Sequence, residues 1–230
     1  MAPATQASSS PLVTSLAQWV WLLEFDSSLA ALDASALRTG ELAGALVQHF
    51  DAVHVVRPDA ASLEATTASA RRDGWQPATA TVAPLAAITL EQGSLDCIAV
   101  HDLFVRQPRS TAALTSDLAC LARLLRPGGW LSLSSPHRPS LPWRRSTARG
   151  LSRRRVESLL QSAGFREVRC LFTEPSLERP LMLVPDSAAA VQTFDAREAR
   201  SASKRLARRA LAHTPLRGDL FSSWFLFART

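Results

Sequence analysis

The stretch LARLLRPGGWLSLSSP (Leu121–Pro136) contains the end of a helix, a turn and a strand in immediate succession. Leu121, Leu124 and Leu125 recur at the spacing of one helix face. Pro127 lacks an amide hydrogen and Gly128-Gly129 tolerates a sharp reversal, so the helix over Ser116–Leu125 must stop at Arg126-Pro127-Gly128-Gly129. WLSLS (Trp130–Ser134) then reads as a strand. Immediately upstream, the turn residues Gly93-Ser94 introduce a second strand, LDCIAV (Leu95–Val100).

The same punctuation continues in both directions. On the amino-terminal side, LAALD (Leu29–Asp33) has the form of a short buried strand, and Glu41–Phe50 follows with helical spacing. Val53–Val56 is strand-like, Ala60–Arg72 is a helix closed by Asp73-Gly74, and Thr79–Val82 is a weaker strand. On the carboxyl-terminal side, Ser152–Ser162 is a helix with Ser152 as N-cap and Gly164 as its stop. Val168–Phe172 and Ser223–Ala228 are the last strands. Strands alternating with helices of about ten residues imply a parallel sheet with right-handed crossovers. Leu16–Phe25 packs at the entrance to this domain as a helix or strand.

Three stretches in this order resemble the class I S-adenosylmethionine (SAM)-dependent methyltransferases. GSLDCIAVHDLF (Gly93–Phe104) is similar to the fourth strand and following loop of that family. Leu121–Pro136 is similar to the next helix, turn and fifth strand. LLQSAGFREVRCLF (Leu159–Phe172) is similar to the last helix, its Ala-Gly-Phe stop and the sixth strand. The resemblance implies an α/β, Rossmann-like sandwich with a mostly parallel seven-stranded sheet. Its last strand, Ser223–Ala228, would run antiparallel between Trp130–Ser134 and Val168–Phe172. Residues 1–15 are expected to be a disordered tail and 16–230 a single domain. An insertion at 173–220 would lie between the last two strands, placed to close as a lid beside the ligand cleft.

The resemblance also implies SAM as cofactor, and here the chain departs from the pattern. The family's first strand ends in an acid followed by a Gly-x-Gly-x-Gly turn, whose bare backbone approaches the cofactor. In LDASALRTGEL, Asp33 matches the acid, but Ser35 and Leu37 stand at the first two glycine positions. Gly40 matches the third after a one-residue insertion. The second strand should end in an acid that accepts from the ribose hydroxyls. That place falls on Arg57, with Asp59 two residues on as a displaced substitute. The third strand offers no acid for the adenine end. Asp33, Ser35, Gly40, Arg57, Asp59 and Asp102 are thus the positions that would hold a cofactor.

His101 and Asp102 follow the fourth strand and are expected to face the cleft beyond the strand ends. His101 is the candidate catalytic base, with backbone capping as the alternative. His137 and Arg138, in SPHRP after the fifth strand, are the candidates for substrate contact. Asp96, early in its strand, is read as structural. Two functions remain open. One is methyl transfer to oxygen or nitrogen of a small, phosphate- or carboxylate-bearing metabolite. The other is a pseudo-methyltransferase without cofactor, acting as scaffold or regulator of a protein partner.

Composition narrows the classes. The chain has a formal charge of +6, with Lys204 as the only lysine among 26 basic residues. Arginine favours bidentate anion contacts, and no acid occurs between Leu118 and Val156. No nucleic-acid recognition motif accompanies this basic stretch, so nucleic acid is not the expected partner. The late segment Ala196–Ala212 is basic, with a face too poor in large apolar residues for a membrane surface. Cys97, Cys120 and Cys170 are odd in number and widely spaced, which points to no disulfide framework and no metal site. The apolar run at Leu16–Phe25 is too short to span a bilayer. A cytoplasmic protein is the expectation.

Overall fold

All seven residues of the strand Leu95–His101 are buried, as a central parallel strand covered on both faces must be. The structure is a computed structural model, and it describes residues 18–25, 29–35, 40–101, 110–136, 153–175, 180–198, 206, 210, 213–214 and 223–230. In chain order the strands are β1 (Ala30–Asp33), β2 (Ala52–Arg57), β3 (Thr79–Val82), β4 (Leu95–His101), β5 (Leu125–Pro136), β6 (Glu167–Pro175), β7 (Pro180–Pro185) and β8 (Ser223–Arg229). The helices are α1 (Glu41–Leu46), α2 (Ala60–Asp73), α3 (Thr111–Leu124), α4 (Arg153–Ser162) and α5 (Ala188–Glu198). A 3-10 helix covers Gln18–Leu22.

The sheet order is β3-β2-β1-β4-β5-β8-β6-β7. Strands β1 to β5 are mutually parallel. Strand β8 lies antiparallel between β5 and β6, as expected, pairing Ser132 with Phe227 on one side and Arg169 with Phe227 on the other. The sheet has one strand more than expected. The proline-flanked run Pro180–Pro185 pairs antiparallel with β6 and becomes an edge strand, which tolerates the missing proline amides.

Pleating sends alternate residues to two cores. Ile98, Val100, Leu131, Leu133 and Leu226 pack with Leu114, Leu118, Leu121 and Leu124 of α3 and with Leu160 of α4. On the other face Cys97, Ala99, Trp130, Phe225 and Phe227 pack with α1 and with Trp19, Val20 and Leu23. The amino-terminal segment is therefore part of the domain, seated directly on the sheet. Trp130 fixes it by donating its indole N–H to the Glu24 carbonyl at 3.0 Å.

The Arg126–Gly129 turn is held by Asp96. Its carboxylate pairs with Arg126 at 2.7 Å and accepts from the amides of Leu29 and Ala30 at 2.9 and 2.8 Å. One buried acid thus ties the entry of β1 to the start of β5, in keeping with the structural role expected for it. Leu125 pairs with Leu95 before a register shift, so the turn is absorbed as an irregularity inside β5 rather than preceding it.

The described part of the insertion extends the sheet edge and packs on the α3–α4 core. Strand β7 lies four strands from β4, and Val191 and Phe194 of α5 are buried in the α3–α4 core. Proline-flanked β-branched and leucine residues at the exit favour continuing the sheet over crossing the cleft. Residues 199–205 and 215–222 lie outside the described set.

Asp96→Ala should lower stability by about 2–4 kcal/mol, because it strands Arg126 and two strand-end amides together. Urea unfolding monitors this, and Asp96→Asn should recover part of the loss. An unchanged midpoint would show that the turn is held without it.

Candidate functional site

Strands β1, β2 and β4 end side by side at Asp33, Arg57 and His101. These carboxyl ends form the place where parallel α/β sheets bind ligands. Here the first two ends are joined to each other. Arg57 Nη2 donates to Asp33 Oδ2 at 2.7 Å, and both side chains are 0% exposed. Its Nη1 donates to the carbonyls of Asp33 and Val56 at 3.0 and 3.1 Å, and its Nε to Thr66 Oγ1 at 2.9 Å. The other carboxylate oxygen of Asp33 accepts from the Ser35 amide at 3.0 Å. Burial by itself would raise the Asp33 carboxyl, but the charge and hydrogen bonds of Arg57, with those of Ser35, hold it below the usual carboxylate range.

Thr66 extends this network to the loop after β1. Its hydroxyl also donates to the Ser62 carbonyl at 2.9 Å. Gly40, at φ +68°, approaches it so closely that a Cβ would stand 3.1 Å from Thr66 Cα and Cγ2. Gly40 is needed for this backbone conformation and this contact with α2. Asp59, the displaced acid of the sequence reading, caps α2 instead, accepting from the Ser62 amide at 2.7 Å.

His101 is 1% exposed and its amide donates to Ser35 Oγ at 3.0 Å. Its ring lies 6.1 Å from Trp19 and 5.4 Å from Phe225, centroid to centroid. Burial lowers its pKa to about 4, against a smaller opposing pull from Asp33. The imidazole is therefore neutral at pH 7 and a weak base. The ring is buried against Trp19 and Phe225 where a cleft-facing base was expected, and the strand end is capped by the Ser35 hydroxyl.

The structure thus brings Asp33, Ser35, Gly40, Arg57 and His101 together and assigns Asp59 to a helix end. Asp102, His137, Arg138 and the crowding residue Leu37 lie outside the described residues. Sequence reasoning missed Thr66, Trp19, Ser132 and Ser134. A threonine within a helix and serines alternating in a strand carry no local signal, and Trp19 reaches the site only through packing.

Sheet order, the antiparallel last strand between β5 and β6, and strand ends that converge on residues 33, 57 and 101 together decide the architecture. The chain has the class I methyltransferase fold. No family model matches its sequence, and no curated protein does. Among solved structures it is similar to a SAM-dependent methyltransferase from Aquifex aeolicus, at 14% identity and TM-score 0.57, over 72% of this chain and 88% of that one. Similar too is geranyl diphosphate C-methyltransferase from Streptomyces coelicolor, crystallised with Mg2+, geranyl diphosphate and S-adenosylhomocysteine, at 14% identity and TM-score 0.59, over 93% and 77%. A third is the YcgJ protein of Bacillus subtilis, at 13% identity and TM-score 0.57, over 94% and 97%.

At the end of β2, where the resemblance implies an acceptor for the ribose of SAM, the structure holds the guanidinium of Arg57. A ribose diol needs an acceptor at the end of β2, and a guanidinium only donates. Arg57 is also buried, with Asp33, two backbone carbonyls and Thr66 as its partners. Among the described residues no cluster of histidine, cysteine, aspartate and glutamate could hold a metal ion. No described helix is long and apolar enough to cross a membrane.

Arg57→Met should cost about 3–5 kcal/mol, since it leaves Asp33 buried and uncompensated. Adding Asp33→Leu should restore much of that loss; failure of the double variant to recover would mean the pair is not the source of the cost.

The histidine makes a separate forecast. The unfolded chain protonates His101 near pH 6.5, whereas the folded chain resists until about pH 4. Stability should therefore fall as pH drops through that window, by roughly 3 kcal/mol from this residue. Partial burial also lowers His49 and His54, which add in the same direction. Urea midpoints at several pH values should show a shallower slope in His101→Leu; equal slopes would contradict the assignment.

Proposed function

We propose that this chain keeps the methyltransferase architecture without binding SAM in the manner of that fold, and works as a scaffold or regulatory partner of another protein. The observation that carries this reading is Arg57. It stands at the end of β2, where the resemblance calls for a ribose acceptor, and its guanidinium is spent on Asp33, two backbone carbonyls and Thr66. Turning it outward would strip Asp33 of its counter-charge in a fully buried setting, at a cost of several kcal/mol. A cofactor would have to supply that energy before gaining any affinity of its own.

A second reading is methyl transfer from SAM to oxygen or nitrogen of a small anionic metabolite. The likeness to SAM-dependent enzymes in the solved structures favours it. It requires the ribose to find an acceptor other than the residue ending β2. The arginines expected to meet an anionic acceptor, Arg138 foremost, belong to this reading, as does a location in the cytoplasm.

Calorimetry of the purified chain with SAM and with S-adenosylhomocysteine separates the two. The proposed function requires dissociation constants weaker than about 1 mM, equivalent to about −4 kcal/mol. Micromolar binding of either compound would overturn it and establish the second reading's first requirement.

A further inference from the structure

Four buried polar atoms gather on one face of the sheet without a hydrogen-bond partner: Trp19 Nε1, His101 Nε2, Ser132 Oγ and Ser134 Oγ. Their grouping follows from the register. Ser134 lies between His101 on β4 and Phe225 on β8, and Ser132 lies between Ala99 and Phe227. Pleating puts all six on the face that carries Trp19. The Trp19 ring is 6.1 Å from His101, 6.5 Å from Phe225 and 5.6 Å from Phe227, so it packs on the rings that flank the two serines.

Such an arrangement is expensive as a core. Each unpaired buried group carries a desolvation penalty of about 1–3 kcal/mol, and buried side-chain polar atoms are ordinarily paired. Two valines in place of the serines would have packed the same strand without that cost. A few convergent polar groups set in aromatic walls are what a small-molecule site requires. Its chemistry is also defined. The walls are Phe225, Phe227 and the neutral His101, the floor is Ala99 and two hydroxyls, and the adjacent acid Asp33 is neutralised by Arg57. The group that lies there now is a flat, uncharged indole whose own N–H finds no acceptor.

We propose that Trp19 is a resident plug in a slot for an uncharged planar heteroaromatic molecule, which would take the place of the indole and bond to Ser132, Ser134 and His101. The plug sits on a short 3-10 helix in which Trp21 and Leu22 are exposed, so displacing the indole means moving a turn that Val20 and Leu23 hold to the sheet. The slot shares His101 with the candidate site but uses neither Arg57 nor Asp33 as a ligand contact, so the inference does not require SAM to bind. It also differs from the anionic ligand expected from composition: the arginines on this face, Arg169 and Arg229, lie over Trp130 and are engaged by Glu167 and the Gly128 carbonyl.

The test uses nicotinamide as a neutral planar probe and nicotinate as its anionic counterpart, followed by saturation-transfer NMR on the full chain. Trp19→Ala should tighten nicotinamide binding at least tenfold. Ser132→Ala with Ser134→Ala should weaken it at least tenfold while raising the melting temperature, because orphaned hydroxyls are removed. Nicotinate should bind at least tenfold more weakly than nicotinamide. The proposal is overturned by nicotinamide that fails to bind Trp19→Ala, by equal affinity with and without the two hydroxyls, or by preference for nicotinate. Should Trp19→Ala not fold, Trp19→Leu and the serine pair decide the matter on the same readouts.

Discussion

The ion pair between Arg57 and Asp33 constrains everything at the ligand end of this sheet. Two charges removed from water are tolerable only when their geometry is good and their remaining donors and acceptors are satisfied. Here that condition recruits the last turn of β1, the carbonyl of Val56, the hydroxyl of Thr66 and the amide of Ser35. Helix α2 is thereby tied to the ends of two strands, and Gly40 must approach Thr66 with no side chain of its own. A residue meant to receive a ligand is exposed or readily freed; Arg57 is neither.

The pair also explains why the neighbouring strand end has the character it does. The pull of Asp33 on His101 is the smaller effect, and burial between Trp19 and Phe225 keeps the imidazole neutral. Ser35 connects the two, giving its amide to Asp33 and taking the His101 amide on its hydroxyl. Ser35, at the first glycine position that the resemblance implies, carries a hydroxyl that links the ends of β1 and β4. Ser35 and Arg57 thus bind the same carboxylate and belong to one local network.

Much of the fold was legible because helix and strand periodicities, the Pro-Gly-Gly turn and the order of elements agree with one another. Asp96 was readable as structural from its place early in a buried strand. The eighth strand was not: PLMLVP is bracketed by prolines, and only an edge position beside β6 makes such a run acceptable. At the site, the sequence showed that Arg57 stands where an acid is wanted, but not which way its side chain turns. That depends on Asp33 and Thr66, 24 and 9 residues away in the chain. Nor could it show that Trp19 would cover Ser132 and Ser134, since long-range packing leaves no periodic mark on any of them.

The central claim is that the guanidinium of Arg57 is locked inside the fold and unavailable to a cofactor. Nitrogen-15 NMR of the arginine Nε–Hε groups, with the signal assigned through Arg57→Met, observes that group directly. A locked Arg57 gives a signal that exchanges with solvent at least a hundred times more slowly than those of exposed arginines such as Arg72, and that does not move when SAM is added in millimolar amounts. Rapid exchange, or a shift that saturates with SAM, would contradict the account.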